Sequence, residues 1–209
     1  HGITKFVKVA YAGPLLKKEI TAIDSVVKNK KEPMTCIIGG SKISTKITVI
    51  SNLIKSASNI IIVGAMANNF LKYNNCEIGK SLKENNSSEI IKKIINEAEK
   101  SKCKIIIPED CIVSKSFEGH AVAKDLKSIE KDDIILDVGP KTLKTIEKII
   151  DSSNTVMWNG PAGYFENKSF AVGTNFIAEK ISENTEKKSL VSILGGGDTV
   201  SAINKSGLK

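Results

Sequence analysis

The chain has 209 residues, 41% hydrophobic and 26% charged, which suffices for one large or two small domains with a real core and excludes a natively unfolded tail. Its net charge of +8 comes from 31 basic residues, all of them lysine; without arginine for bidentate recognition, and with only 5% aromatic residues for stacking, the composition argues against a nucleic-acid reader. No apolar run approaches the roughly 20 residues of a membrane span, and the first residues lack a signal peptide's apolar core, so no membrane partner and a cytoplasmic location are expected.

In chain order, residues 14–27 read as an amphipathic helix, with Pro14 in its first turn and Leu16, Ile20, Ile23 and Val27 on one face. A strand is expected at 34–38, then a helix in which Ile43, Ile47, Ile50 and Ile54 recur at helical spacing. A second strand falls at 59–63, followed by a short helix over 65–73. Residues 87–101 put Ile90, Ile91, Ile94, Ile95 and Ala98 on one stripe, leading to a strand at 104–107 that Pro108 stops. An extra strand is possible at 111–114, and 117–132 reads as polar and irregular. Strands at 134–136, 155–158 and 190–194 then alternate with helices at 142–150, 169–184 and 198–206. This alternation argues for βαβ units and hence an α/β fold: an open parallel sheet with helices on both faces, a Rossmann-like three-layer arrangement. The four cysteines show no CxxC spacing, so no zinc site follows from them.

Glycine-rich punctuation marks the strand ends: Gly39-Gly40-Ser41-Lys42, Gly64-Ala65-Met66, Gly139-Pro140-Lys141-Thr142, Asn159-Gly160-Pro161-Ala162-Gly163 and Gly195-Gly196-Gly197-Asp198-Thr199. In a parallel sheet these loops should gather on the carboxyl edge, where ligands bind. The triple glycine carries the strongest signal. It lets backbone N–H groups approach an anion while the next helix points its positive end there, with Asp198 placed to hold Mg²⁺ and Thr199 to donate to a phosphate oxygen. A tight turn with an aspartate cap would need one glycine at most. Lys42 and Lys46 are expected four apart on the first helix near its N-terminus, where the dipole disfavours cations unless an anion compensates. The segment from Trp158 to Glu166 reads either as a wall for an adenine, with Glu166 on a ribose, or as a structural loop anchored by Trp158 in the core.

The runs GGSKISTK, GAMANNFL, IGKSL, DVGPKT, WNGPAGYFE and GGGDT, in this order, closely resemble the C-terminal, nucleotide-binding half of phosphoglycerate kinase over nearly the whole chain. The resemblance implies a two-domain kinase that moves a phosphoryl group between 1,3-bisphosphoglycerate and ADP, giving 3-phosphoglycerate and MgATP in glycolysis. It implies an inter-domain hinge and helix segment at 1–28 and a nucleotide-binding domain at 29–209, incomplete at its C-terminus. Further chain is expected before Gly2, carrying the glycerate site and its arginines, and after Lys209, carrying another glycine-rich anion loop. Carried over by motif, Lys42 contacts the transferring phosphoryl group with Gly196 and Gly197 as backbone donors, and Lys46 contacts the nucleotide phosphates. Gly40 and Ser41 belong to the nucleotide site with them. Asp198 holds Mg²⁺, Thr199 caps a phosphate and Asn159 lies near the phosphates. Gly64, Ala65, Leu136, Pro161 and Tyr164 line the adenine pocket, and Glu166 takes the ribose. Ala65 stands where the family often has glycine, while Ile135 and Tyr164 replace smaller residues, so a narrower pocket is expected. The resemblance also implies a monomeric full-length enzyme, whereas this chain alone is expected to be inactive and to self-associate through the 14–27 helix. The alternative from another class is a non-catalytic nucleotide-binding module.

Overall fold

The structure, a computed structural model, describes residues 6–7, 11, 13–14, 30–188 and 190–206. The chain separates into two compact units, His1–Lys30 and Lys31–Lys209, and every element with described bounds belongs to the second. The expected helix at 14–27 lies, beyond its first residue, outside the described residues.

Five strands form one parallel sheet: β1 (Met34–Ile38), β2 (Asn59–Ile62), β3 (Lys104–Ile106), β7 (Thr155–Asn159) and β8 (Val191–Gly195), in the order β3-β2-β1-β7-β8. Its helices are α1 (Ile47–Ile54), α2 (Ala67–Tyr73), α3 (Ser88–Lys100), α4 (Pro140–Asp151), α5 (Val172–Lys188) and α6 (Gly197–Ser206). Two-residue alternation sends successive strand side chains to opposite faces. Met34, Cys36 and Ile38 of β1, with Ile60 and Ile62 of β2, pack against Ile50, Phe70, Ile91 and Ile94 of α1 to α3. Ile37, Ile61, Val156 and Trp158 pack on the other face against Ile146 and Ile150 of α4 and Ile177 and Ile181 of α5. Both faces of the sheet are therefore covered, which is why its central strands are nearly continuous apolar runs.

A second sheet of three antiparallel strands holds β4 (Asp110–Ser114) between β5 (Val122–Asp125) and β6 (Ile134–Val138). Two expectations are corrected here. The 117–132 segment is not irregular throughout: it contains β5, a largely exposed edge strand whose VAKD sequence gives no apolar alternation to read. The strand at 134–138 does not join the parallel sheet, since the chain between β4 and β6 holds no crossover helix and the two pair antiparallel. The Gly139 loop thus leaves the glycine-lined rim and instead packs on β4, the Gly139 N–H donating to the Asp110 carbonyl at 3.0 Å.

Two buried aspartates join the second sheet to the helices. Asp110 accepts from the N–H groups of Lys141 and Thr142 at 2.9 and 2.8 Å, so a β4 carboxylate caps α4. Asp137 of β6 accepts from Gly173 N–H at 2.8 Å and does the same for α5. Each carboxylate satisfies N–H groups that a helix start otherwise leaves without partners, and meets the positive end of the helix dipole.

Candidate nucleotide site

The carboxyl edge of the parallel sheet presents two adjoining cavities. The larger, about 470 Å³, lies within the roughly 300–1,000 Å³ of small-molecule sites. Gly64, Ala65, Leu136, Pro161, Tyr164 and Glu166 line it. The smaller, about 240 Å³, is lined by Lys42, Lys46, Asn159, Gly196, Gly197 and Thr199. Gly40, Ser41, Pro161 and Asp198 belong to both, so the two form one continuous cleft with an apolar end and a cationic, N–H-rich end.

Close backbone approach builds the floor of the cleft. Gly39 donates its N–H to the Asn159 carbonyl at 2.8 Å across β1 and β7. A Cβ on Gly39 would meet the Pro161 carbonyl oxygen at 2.3 Å, and one on Gly160, whose φ is +98°, would meet the Gly39 carbonyl carbon at 2.4 Å. The triple glycine is different. Gly196 has φ +93°, a left-handed conformation that favours glycine, but a Cβ on Gly197 would meet nothing within 4 Å. The fold itself places no demand for glycine at 197. Gly197 lines the smaller cavity at the first turn of α6, where a helix start favours an anion.

Lys42 and Lys46 both face the smaller cavity, but not from the first turn of a helix as expected from their spacing. Helix α1 starts only at Ile47, because residues 43–46 form a turn closed by Lys46 N–H on the Ile43 carbonyl at 3.0 Å. Lys46 is thus the N-cap residue of α1, its carbonyl accepting the Ile50 N–H at 2.9 Å, and meets the positive helix end, whereas Lys42 lies outside the helix. Lys46 is half-buried and its Nζ donates to Asn159 Oδ1. Burial pulls its pKa below the ordinary lysine value, and the Asp198 carboxylate opposes that pull. Asp198 is exposed in the first turn of α6, at the junction of the two cavities. Thr199 is buried, and its hydroxyl oxygen accepts from Gly160 N–H at 2.7 Å, tying the β7 and β8 loops together.

Trp158 takes the structural course: it is fully buried on β7 and donates its indole N–H to the Gly160 carbonyl at 2.7 Å. The aromatic wall of the larger cavity is made instead by Tyr164 and Phe117, whose rings meet edge-on at 5.2 Å. Phe117 was not legible as a site residue because it lies in a polar stretch far from any motif. Leu82, Asn68 and Asp137 also line this cavity, and each lies inside one of the motif runs IGKSL, GAMANNFL and DVGPKT, but none carries a local sign of facing a ligand. Burial pushes the Asp137 carboxyl up to about 7, against the opposing hydrogen bonds from Gly173 and Val138 N–H. Among the described residues no helix is long and apolar enough to cross a membrane.

A doubly covered parallel sheet whose carboxyl edge joins an apolar cavity to a lysine- and N–H-lined one defines a nucleotide-binding α/β domain. The match to known proteins is more particular. A family model described as phosphoglycerate kinase matches residues 1–209, and the chain belongs to that family. Curated relatives include a phosphoglycerate kinase of Wolbachia pipientis, 43% identical over 207 residues, covering 99% of this chain and 52% of the relative. Another, from Zymomonas mobilis, is 37% identical over 201 residues, covering 95% of this chain and 51% of the relative. The solved phosphoglycerate kinase of Coxiella burnetii superposes with a TM-score of 0.87 at 35% identity, over 99% of this chain and 53% of that one. That of Pyrococcus horikoshii superposes with a TM-score of 0.75 at 26% identity, over 94% of this chain and 50% of that one. The chain thus spans about half the length of the relatives it matches.

Proposed function

We propose that this chain is the nucleotide-binding part of a phosphoglycerate kinase, a glycolytic enzyme of the cytoplasm that transfers a phosphoryl group between 1,3-bisphosphoglycerate and ADP to give 3-phosphoglycerate and ATP. The observation that carries the reading is the continuity of the two cavities through Gly40, Ser41, Pro161 and Asp198. A base seated in the apolar end, against Leu136, Pro161 and Tyr164 with its ribose toward Glu166, would direct its phosphates past Asp198 into the cationic end. There Lys46, Asn159 and Thr199 meet the nucleotide phosphates, while Lys42 and the Gly196 and Gly197 N–H groups face the terminal one. Phosphoryl transfer asks a protein mainly for positioning and for stabilisation of charge on the phosphoryl oxygens, which these cations and N–H groups supply.

Asp198 fits Mg²⁺: an exposed carboxylate at the cavity junction offers the hard oxygen ligand this ion prefers, leaving its remaining positions for water and phosphate. Bound there, the ion would neutralise phosphate charge. In this reading residues 1–28 serve as the hinge segment and 29–209 as the nucleotide domain, with the glycerate held by a separate half. Titration calorimetry of the 209-residue chain tests it. Binding of MgADP and MgATP without turnover of 3-phosphoglycerate is expected, because the chain holds no arginine for the transferring group. Absence of nucleotide binding by the folded chain would sink the reading.

A further inference from the structure

The strap between α2 and α3 carries a contact that the nucleotide reading does not use. Glu84 lies 40 residues from Ser44 in sequence, yet its carboxylate grips that residue with both oxygens: Oε2 accepts the Ser44 N–H at 2.9 Å, and Oε1 accepts the Ser44 hydroxyl at 2.5 Å. Ser44 sits between Lys42 and Lys46 in the turn that precedes α1. That turn has one internal side-chain tie, Thr45 Oγ1 to the Lys42 carbonyl at 2.9 Å, and α1 has no side-chain cap. Its buried anchor is Ile43. Besides the Lys46 Nζ bond to Asn159, Glu84 is therefore an external tether on the segment that presents both lysines, and it holds the backbone of that segment. The hydrogen bond from the Ser44 hydroxyl is the main cause holding its carboxyl below the usual range, so the tether is ionised at neutral pH.

The strap is fixed at its other side by two adjacent buried amides of α2. Asn69 Oδ1 accepts the Glu84 N–H at 2.8 Å, and Asn68 Nδ2 donates to the Leu82 carbonyl at 2.9 Å. Ser81, also in the strap, accepts the Ile135 N–H at 2.8 Å. Leu82 lines the apolar cavity, so one short segment touches that cavity through Leu82 and the turn between Lys42 and Lys46 through Glu84.

We propose that Glu84 is a positioning residue of the phosphate end: its two-oxygen hold on Ser44 sets where Lys42 and Lys46 stand, and thereby sets affinity for the phosphate tail and not for the base. The proposal rests on the nucleotide reading of the cleft. Fixing a flexible turn in its binding geometry raises affinity by removing an ordering cost at the moment of binding, whereas a merely structural carboxylate would change stability and every ligand alike.

The test uses the 209-residue chain with adenosine and MgATP as probes, by titration calorimetry. Glu84→Ala should weaken MgATP about tenfold while adenosine stays within about twofold. Glu84→Asp, which keeps the charge on a shorter arm, should recover part of the loss. In Lys46→Ala background the Glu84→Ala loss should shrink, since the lysine it positions is gone. Ser44→Ala removes only the hydroxyl leg and leaves the strap intact; it should give a smaller loss in the same direction, which keeps the test open if Glu84→Ala folds poorly. Equal losses for adenosine and MgATP would overturn the proposal. So would unchanged MgATP affinity in Glu84→Ala and Ser44→Ala when Lys46→Ala weakens it, and that outcome leaves the nucleotide reading standing. A folded wild-type chain that binds neither probe would bring down the reading itself and the proposal with it.

Discussion

The hydroxyl of Thr199 accepts the N–H of Gly160 at 2.7 Å, so the first turn of α6 and the loop after β7 are held by one buried hydrogen bond. Both loops line the lysine-lined end of the cleft. The spacing between Asn159 on one and Asp198 on the other thus depends on a threonine, and a hydroxyl that accepts from the backbone still has its own proton to give a phosphate oxygen.

Thr199→Val keeps the shape and removes the acceptor. It should leave the buried Gly160 N–H without its partner and lower stability by about 1–3 kcal/mol. Urea unfolding followed by circular dichroism reads this as a lower midpoint at unchanged slope. A midpoint equal to wild type would mean that the two loops are held together by something other than this bond.

Asp137 makes stability depend on pH in a direction opposite to that of most carboxylates. Its folded pKa, near 7, lies above that of an unfolded aspartate because burial penalises the charge. Between the two values the folded chain binds the proton and the unfolded chain does not, so the Asp137 contribution to stability falls as pH rises from about 4 to about 7 and is flat above. Asp137→Asn should remove this slope, although the single carbonyl oxygen of asparagine can no longer serve both Val138 and Gly173 N–H groups. Unfolding free energies of both proteins at pH 5, 6, 7 and 8 decide it: parallel curves would refute the assignment.

Asp133 behaves in the ordinary sense. Burial would raise its carboxyl, but hydrogen bonds from Lys124, the Glu130 N–H and Lys115 overrule that and hold it near 2. Its stabilisation is present above the unfolded value and lost as pH falls through about 2. Lys115 also reaches Glu130 and Asp132, so the cluster of three acids that could hold a cation is bridged by lysine. Lys124→Met should raise the pH at which acid unfolding begins, and an unchanged acid midpoint would show that Lys115 alone suffices.

The rim was legible in the sequence because glycine carries its reason locally: Gly39, Gly64, Gly160 and Gly196 each stand within two residues of the end of a strand that its apolar run already marks. The lysine turn was half legible. Ile43, Ile47 and Ile50 suggested one continuous helix, but Ile43 is buried from a turn, and a periodic apolar residue does not reveal whether the backbone around it is helical. What stayed hidden depends on distant partners. Asp110 and Asp137 cap helices that begin 30 or more residues later in the chain, and Glu84 acts on a serine 40 residues earlier. A strand such as β5, exposed along most of its length, has no apolar face to announce it.

Lys46 and Asp198 should part company over Mg²⁺. In the proposed reading Lys46 meets the phosphates directly, so Lys46→Ala should weaken MgATP and metal-free ATP alike. In the same reading Asp198 acts through the ion, so Asp198→Ala should weaken ATP chiefly when Mg²⁺ is present. Removing Asp198 also withdraws the charge that raises the Lys46 pKa, leaving burial unopposed by it. The lysine should then lose its proton at a lower pH than in the wild type, which a carbon-13 titration of its ε-carbon reads. Equal losses for Asp198→Ala in Mg²⁺ and in EDTA would remove the metal role.

Gly196 and Gly197 differ in what the fold asks of them. At Gly196 the left-handed φ opposes any side chain, but at Gly197 a methyl meets nothing and the residue begins α6. Alanine there should leave the chain as stable or up to about 1 kcal/mol more stable, since glycine carries the larger entropy loss in a helix. In the proposed reading a phosphate approaches the N–H groups of this turn, so a methyl on a residue lining that end of the cleft should weaken MgATP several-fold, about 1 kcal/mol or more. Thermal unfolding and titration calorimetry on one preparation of Gly197→Ala give both numbers. Stability up with affinity down is the expected pair; unchanged MgATP affinity would mean that no phosphate approaches this turn.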